Sequence, residues 1–257
     1  MLMVMDVGNT NIVVGVHDGK EWLAHWRLSS SRSRTADEFG IVLGSMFSYS
    51  RVDMKQITDI IISTVVPPLL VPLCNMCKRY FDIEPFVVTS KIKTGLVLHY
   101  DNPNELGADR IVNAVAALAK YKDKGNLIVI DFGTATTFCA IRPNGEYLGG
   151  AIAPGIGIST EALFQKAAKL PRIELIKPKH AICLNTIEAM QSGVIFGFVG
   201  QMDGLITRMK KELGGQAFVI ATGGFGHLMA SQSDNVDVVE PFLTLDGLKI
   251  LHEMNKN

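Results

Sequence analysis

The chain has 257 residues, of which 47% are hydrophobic and 19% charged, with Lys+Arg equal to Asp+Glu. That is apolar material for one large or two ordinary domains, and a charge content too low and too evenly spread for disorder. Zero net charge offers no electrostatic footprint for nucleic acid or an acidic membrane, and the most apolar region, Ile60 to Cys74, is broken by Ser63, Thr64, Pro67, Pro68 and Pro72, which excludes a spanning helix.

No signal-peptide pattern precedes Asp6, and four cysteines with one close pair agree with a reducing compartment, so a cytoplasmic location is expected. The first element is a hairpin: apolar Met3 to Met5 and Ile12 to Val16 flank Asp6-Val7-Gly8-Asn9-Thr10-Asn11. Its tip suits a phosphate. Gly8 removes a Cβ, Asn9 tolerates positive φ, and Thr10 and Asn11 add donors. Asp6 would repel that phosphate, so a cation, most simply Mg²⁺, is expected between them. An ordinary hairpin with a good turn sequence explains the same stretch.

Lys20 to Arg27 reads as a third strand, and the Ser/Arg-rich loop Ser29 to Thr35 leads to a helix from Ala36 with Phe39, Val42, Leu43 and Met46 at helical spacing. Arg32 and Arg34 either reach a phosphate or form a solvated basic loop. Ile60 to Thr64 is expected as a central strand with Val65 to Pro68 as its exit, followed by a helix over Leu69 to Tyr80. Cys74 and Cys77 on that helix read as packing. Phe86 to Val88 is a short strand, and Thr94 to Glu105, with Tyr100, is a long polar loop of the kind that tends to be functional.

Gly107-Ala108-Asp109-Arg110 opens a helix with Ile111, Val112, Val115, Leu118 and Ala119 on one face. Asp109 is explained as an N-cap. Arg110 is not, because a cation in the first turn opposes the helix dipole by a few tenths to about 1 kcal/mol. It reads as serving an external anion.

Leu127 to Phe138 repeats the opening design: apolar strand, Asp131-Phe132-Gly133, a Thr-rich turn through Thr134, and another apolar run. Both copies continue into a Gly-containing polar turn, at 17–19 and 142–145, and Ile60 to Val66 pairs in kind with Phe218 to Gly224. The chain therefore reads as a duplication, 1–122 and 123–257. In the second half, Gly149-Gly150 permits close backbone approach, 156–168 becomes helical, and Asn185-Thr186 starts a helix. Ser192 to Leu213 keeps helical spacing despite Gly193, Gly197, Gly200 and Gly204, which points to a dimer interface or to tight packing within the chain. Thr222 to Gly226 suits the wall of a nucleotide site, and Asp246 to Met254 closes the chain as a helix.

Two strand-Asp-x-Gly turns with a later Thr-Gly-Gly strand end resemble the acetate and sugar kinase, Hsp70 and actin superfamily. Within it the opening Asp-Val-Gly-Asn-Thr-Asn, Gly107 to Arg110, Asp131 to Thr137, Gly149 to Gly155 and Leu243 to Leu248 resemble type III pantothenate kinase nearly from end to end. The resemblance implies an α/β fold of two similar, duplicated actin-like ATPase domains, each a mixed sheet flanked by helices, around an interdomain cleft. It implies ATP-dependent phosphorylation of pantothenate to 4′-phosphopantothenate, the first step of coenzyme A biosynthesis. From the glycine spacing and the zero net charge, a homodimer is expected, with no nucleic-acid or membrane partner.

The same resemblance implies ATP contacts from Asp6, Val7, Gly8, Asn9, Thr10, Asn11, Ile12, Val13 and Thr134. It implies pantothenate contacts from Tyr100, Gly107, Ala108, Asp109, Arg110 and Thr186, with Asp109 as general base and Arg110 on the substrate carboxylate. Asp6 would hold Mg²⁺ and Asp131 a monovalent cation, K⁺ or NH₄⁺. A nucleotide-switched interaction protein of the same fold is the alternative, although those branches carry larger insertions. A silent regulatory relative is a third reading, against which Asp109 and the two intact turns argue.

Overall fold

The computed structural model describes residues 1–89 and 91–256, which gather into two compact units. The first comprises Met1–Leu96, Asp101–Ala116 and the closing segment from Phe242, and the second comprises Val97–Tyr100 and Ala117–Pro241.

In the first unit β1 (Leu2–Val7), β2 (Asn11–His17) and β3 (Trp22–Ser29) form an antiparallel meander. On the other side of β1, β4 (Asp59–Thr64) and β5 (Phe86–Val87) join in parallel, giving the order β3-β2-β1-β4-β5. Helices α1 (Ala36–Tyr49) and α2 (Pro67–Phe81) cover one face, where Met3, Met5, Val7, Ile60 and Ile62 pack with Phe39, Leu43, Phe47, Leu69, Leu73 and Met76. Thr35 starts α1 with a capping box, its hydroxyl accepting from Glu38 N–H at 3.3 Å while Glu38 Oε2 accepts from Thr35 N–H at 2.7 Å. The α2 helix starts two residues before Leu69, because prolines are tolerated in a first turn whose N–H groups lack intrahelical acceptors.

Side chains alternate along a strand, so Val4, Asp6, Ile61 and Ser63 fall on the opposite face. There α7 (Leu243–Asn255) packs on β1 and β4 with Leu243, Leu245, Leu248 and Leu251 buried. Four buried leucines contribute roughly 6–12 kcal/mol of gross apolar stabilisation, which accounts for the closing helix joining the first unit. The compact units divide the chain by packing, which is a separate matter from the expected repeats 1–122 and 123–257. Their boundary falls at Ala116/Ala117, inside α3 (Ala108–Tyr121).

The second unit repeats the scheme. Its strands β7 (Leu127–Phe132), β8 (Ala135–Ile141) and β9 (Glu146–Pro154) form a meander, and β10 (Phe218–Gly223) and β11 (Val238–Val239) run parallel to β7. The order β9-β8-β7-β10-β11 matches β3-β2-β1-β4-β5 sense for sense, with β6 (Val97–Leu98) added beside β9. Helices α4 (Ile156–Lys166), α5 (Thr186–Glu212) and α6 (Gly226–Ala230) cover the face that buries Ile128, Ile130, Phe132, Val219 and Ala221.

Two expectations are revised. The polar stretch 94–105 contains β6, which is tied into the sheet of the second unit by Val97 N–H to Gly145 O and His99 N–H to Tyr147 O, both at 2.9 Å. The α5 helix runs unbroken from Thr186 and does not begin near Ser192. A Cβ placed on Gly193, Gly197, Gly200 or Gly204 would meet nothing within 4 Å among the described residues, so packing within the chain does not explain those glycines. Among the described residues no helix is long and apolar enough to cross a membrane.

Candidate active site

The first tip lies between β1 and β2. Gly8 N–H donates to Asn11 O at 3.0 Å, and Ser30 ties the tip from outside: its hydroxyl donates to Gly8 O at 2.5 Å and its N–H to Thr10 O at 3.0 Å. Asn9 and Thr10 are exposed, whereas Val7 and Ile12 are fully buried in the core and would meet a ligand only through their backbone. Asp6 and Val13 are half-buried cross-strand partners.

Asp109 and Arg110 stand in the first turn of α3, whose N-terminal flank is Gly107. Asp109 is therefore inside the helix and not its N-cap. Its Oδ1 accepts the Arg110 N–H at 2.8 Å, which satisfies one first-turn donor. A Cβ on Gly107 would overlap that oxygen, so glycine is what allows the carboxylate to fold back over the helix start. Val65, just beyond β4, is on the same side, its Cγ1 lying 3.8 Å from where that Cβ would stand. Burial pushes the Asp109 carboxyl above its ordinary value, opposed by the Arg110 N–H and the Arg110 charge. The Arg110 residue is only 5% exposed, which is rare for a guanidinium that merely solvates a surface.

The second tip differs from the first in length. Three residues separate β1 from β2 but only Gly133 and Thr134 separate β7 from β8, with Gly133 N–H donating to Ala135 O at 3.1 Å. Asp131 is in register with Thr222 at the end of β10. Gly223 follows at φ +88°, and a Cβ there would overlap Asp131 Oδ1 and come within 2.7 Å of the Phe132 backbone. The Thr-Gly-Gly strand end thus lies directly over the second carboxylate. Thr222 hydroxyl donates to Glu240 O at 2.7 Å, and the Glu240 carboxylate in turn accepts from Lys120 at 2.7 Å and from Tyr121 hydroxyl.

Tyr100 follows β6 with its ring 6.4 Å from that of buried Tyr147. Thr186 is the exposed first residue of α5, after the N-cap Asn185, and lines an open groove of about 590 Å³ with Leu163, Leu170, Met190 and Val194. Among the described residues no group of three or more His, Cys, Asp or Glu is disposed to hold a metal ion. Asp6 is instead a single carboxylate beside backbone N–H groups and hydroxyls. That donor set fits Mg²⁺ carried mainly by phosphate oxygens. Cys77 is fully buried, with its thiol pushed up to about 12, as packing requires.

A model of the type III pantothenate kinase family matches residues 2–208. This chain belongs to that family. A type III pantothenate kinase of Exiguobacterium sibiricum is 55% identical over 256 residues, covering 100% of both chains. Among solved structures, a Campylobacter jejuni protein described as a conserved Baf family transcriptional activator aligns with a TM-score of 0.62 at 19% identity, covering 98% of each chain. A Sinorhizobium meliloti protein described as a 2-dehydro-3-deoxygalactonokinase aligns with a TM-score of 0.57 at 12% identity, covering 98% of this chain and 96% of that one. At such identities the structures speak for the fold, that of the actin-like sugar kinases, while the family match speaks for the chemistry. As a kinase of this family, the protein uses ATP.

Sequence reasoning passed over Ser30, Ser63 and Glu240. Ser30 had a faint signal, a small hydroxyl residue at the end of the strand paired with the tip.

Proposed function

We propose that this chain transfers the γ-phosphoryl group of ATP to pantothenate, giving 4′-phosphopantothenate and ADP at the entry to coenzyme A synthesis. The observation that carries the reading is the start of α3, where a half-buried carboxylate with a raised pKa adjoins a buried guanidinium in a chain of this family. Asp109 accepts the proton of the attacking hydroxyl as the new P–O bond forms. A loose phosphoryl transition state asks mainly for positioning and charge neutralisation, more than for any particular pKa of the base. Arg110 pairs with the pantothenate carboxylate, while Tyr100, Thr186 and the backbone of Gly107 and Ala108 hold the rest of the substrate.

The tip from Asp6 to Val13 is the proposed cradle for phosphate oxygens, and Thr134 is a further proposed ATP contact. When bound at Asp6, Mg²⁺ would neutralise phosphate charge. Asp131, which precedes the Gly133-Thr134 turn, is assigned to a weakly hydrated monovalent cation, K⁺ or NH₄⁺. The halves 1–122 and 123–257 are proposed as the ancestral repeats, and the setting is cytoplasmic.

A homodimer is also proposed. The open glycine positions of α5, together with exposed Ile158, Ile182, Leu184 and Ile187, leave an apolar surface that a second copy would cover. The test of function is ADP release across a panel of hydroxylated metabolites. Release that depends on pantothenate supports the reading, and ATP turnover indifferent to every metabolite favours the nucleotide-switched alternative.

A further inference from the structure

The duplication supplies its own control. In the second unit Thr222, in register with Asp131, gives its hydroxyl to Glu240 O at 2.7 Å, and Glu240 N–H reaches Ala221 O at 2.8 Å. The first unit repeats the backbone part of this arrangement. Ser63 is in register with Asp6, and Val88 N–H reaches Ile62 O at 2.8 Å, so Val88 stands where Glu240 does. The side-chain part is not repeated. Ser63 is fully buried, and its Oγ has no hydrogen-bond partner among the described residues, Val88 O included.

A buried hydroxyl left unsatisfied costs about 1–3 kcal/mol, which alanine at the same position would avoid. Ile60 and Ile62 face the α1 and α2 core, whereas Ser63 shares the other face with Asp6. The neighbouring hydroxyl has a local structural use, Thr64 Oγ1 accepting from Val66 N–H at 2.9 Å. The strand end also borders the acceptor side of the site, since Val65 lies against Gly107 at the start of α3.

We propose that Ser63 is a positioning residue for Asp6: its hydroxyl donates to the Asp6 carboxylate when that carboxylate faces a phosphate-bound divalent cation, fixing which oxygen is presented. The inference rests on Asp6 as the cation-facing carboxylate. Carboxylates that meet a metal are oriented by such outer hydrogen bonds, and removing one typically lowers metal affinity or activity about 10–100-fold. In the second unit the equivalent hydroxyl is spent on the backbone, which matches the different role assigned to Asp131.

The test uses the full chain as wild type, Ser63→Ala, Ser63→Thr and Asp6→Ala. The Mn²⁺ dissociation constant is measured by electron paramagnetic resonance titration with saturating adenylyl-imidodiphosphate, a non-hydrolysable ATP analogue, and the ligand-free melting temperature is recorded for each variant. The expected result is that Ser63→Ala melts at or above wild type without ligand but binds Mn²⁺ about 10-fold or more weakly, with Ser63→Thr close to wild type in Mn²⁺ binding. Unchanged Mn²⁺ affinity in Ser63→Ala beside a large loss in Asp6→Ala would overturn the inference alone. A lower ligand-free melting temperature for Ser63→Ala would make the hydroxyl a structural group and overturn it as well. Wild-type Mn²⁺ affinity in Asp6→Ala would overturn the reading of Asp6 beneath it.

Discussion

Replacing Asp109 by Asn separates its chemical role from its place in the helix. Oδ1 accepts the Arg110 N–H at 2.8 Å, and an amide oxygen preserves that bond. What the substitution removes is a carboxyl whose pKa is raised by burial. An acid with a raised folded pKa contributes stability that is present below its unfolded pKa and lost as pH rises through the folded one, at about 1.4 kcal/mol for every pH step of one between the two pKa values. Asp109→Asn is therefore expected to match or exceed wild type in stability at neutral pH. The gap should close as pH falls below the ordinary carboxylate range. Turnover should fall by about 10²–10⁴, or roughly 3–5 kcal/mol of barrier, because the proton acceptor is gone. Steady-state rates, affinity for a non-hydrolysable ATP analogue and urea unfolding at pH 4 and pH 8 give the three readouts. Near-normal turnover together with reduced stability would show that Asp109 serves the helix start, and would refute the assignment.

Arg110→Gln is expected to raise the KM for pantothenate by at least about 10-fold, the scale of one lost charge-assisted hydrogen bond, with ATP affinity nearly unchanged; initial-rate kinetics with each substrate varied check this. Activity should require K⁺ or NH₄⁺ and fall sharply in Na⁺, and Asp131→Ala should remove that dependence together with most of the rate. Titrating KCl into cation-free enzyme at constant ionic strength is the measurement. His17 Nδ1 accepts the Gly19 N–H at 2.9 Å, and burial, then Lys249, hold its pKa below the ordinary value. Its contribution to stability is thus present above the unfolded histidine pKa and lost as pH falls through the lowered folded one. Melting curves from pH 8 to pH 5 should decline less for His17→Gln than for wild type.

The two carboxylate tips and their repetition were legible because they are local: an apolar run, Asp-x-Gly and a second apolar run need no distant partner to be read. The boundary of α1 was legible for the same reason, its capping box lying within four residues. What escaped depends on contacts between remote segments. That α7, with Leu243, Leu245, Leu248 and Leu251 buried, packs on β1 and β4 joins segments from opposite ends of the chain. Ser30 over Gly8, Gly223 over Asp131 and Ser63 beside Asp6 are pairings 22, 92 and 57 residues apart, set by sheet register and invisible to periodicity. Arg110 was legible as an oddity because a cation opposes the helix dipole, and its burial adds a physical reason to look for an anion.

The central claim is phosphoryl transfer to the hydroxyl of pantothenate, and the most direct measurement is ³¹P nuclear magnetic resonance of the purified chain incubated with ATP, Mg²⁺, K⁺ and pantothenate. The account predicts a growing phosphomonoester signal, coupled to the hydroxymethyl protons of pantothenate, that matches the ADP formed mole for mole and is absent with Asp109→Asn on the same timescale. ADP accompanied only by inorganic phosphate, or a phosphomonoester formed equally fast by Asp109→Asn, would contradict it.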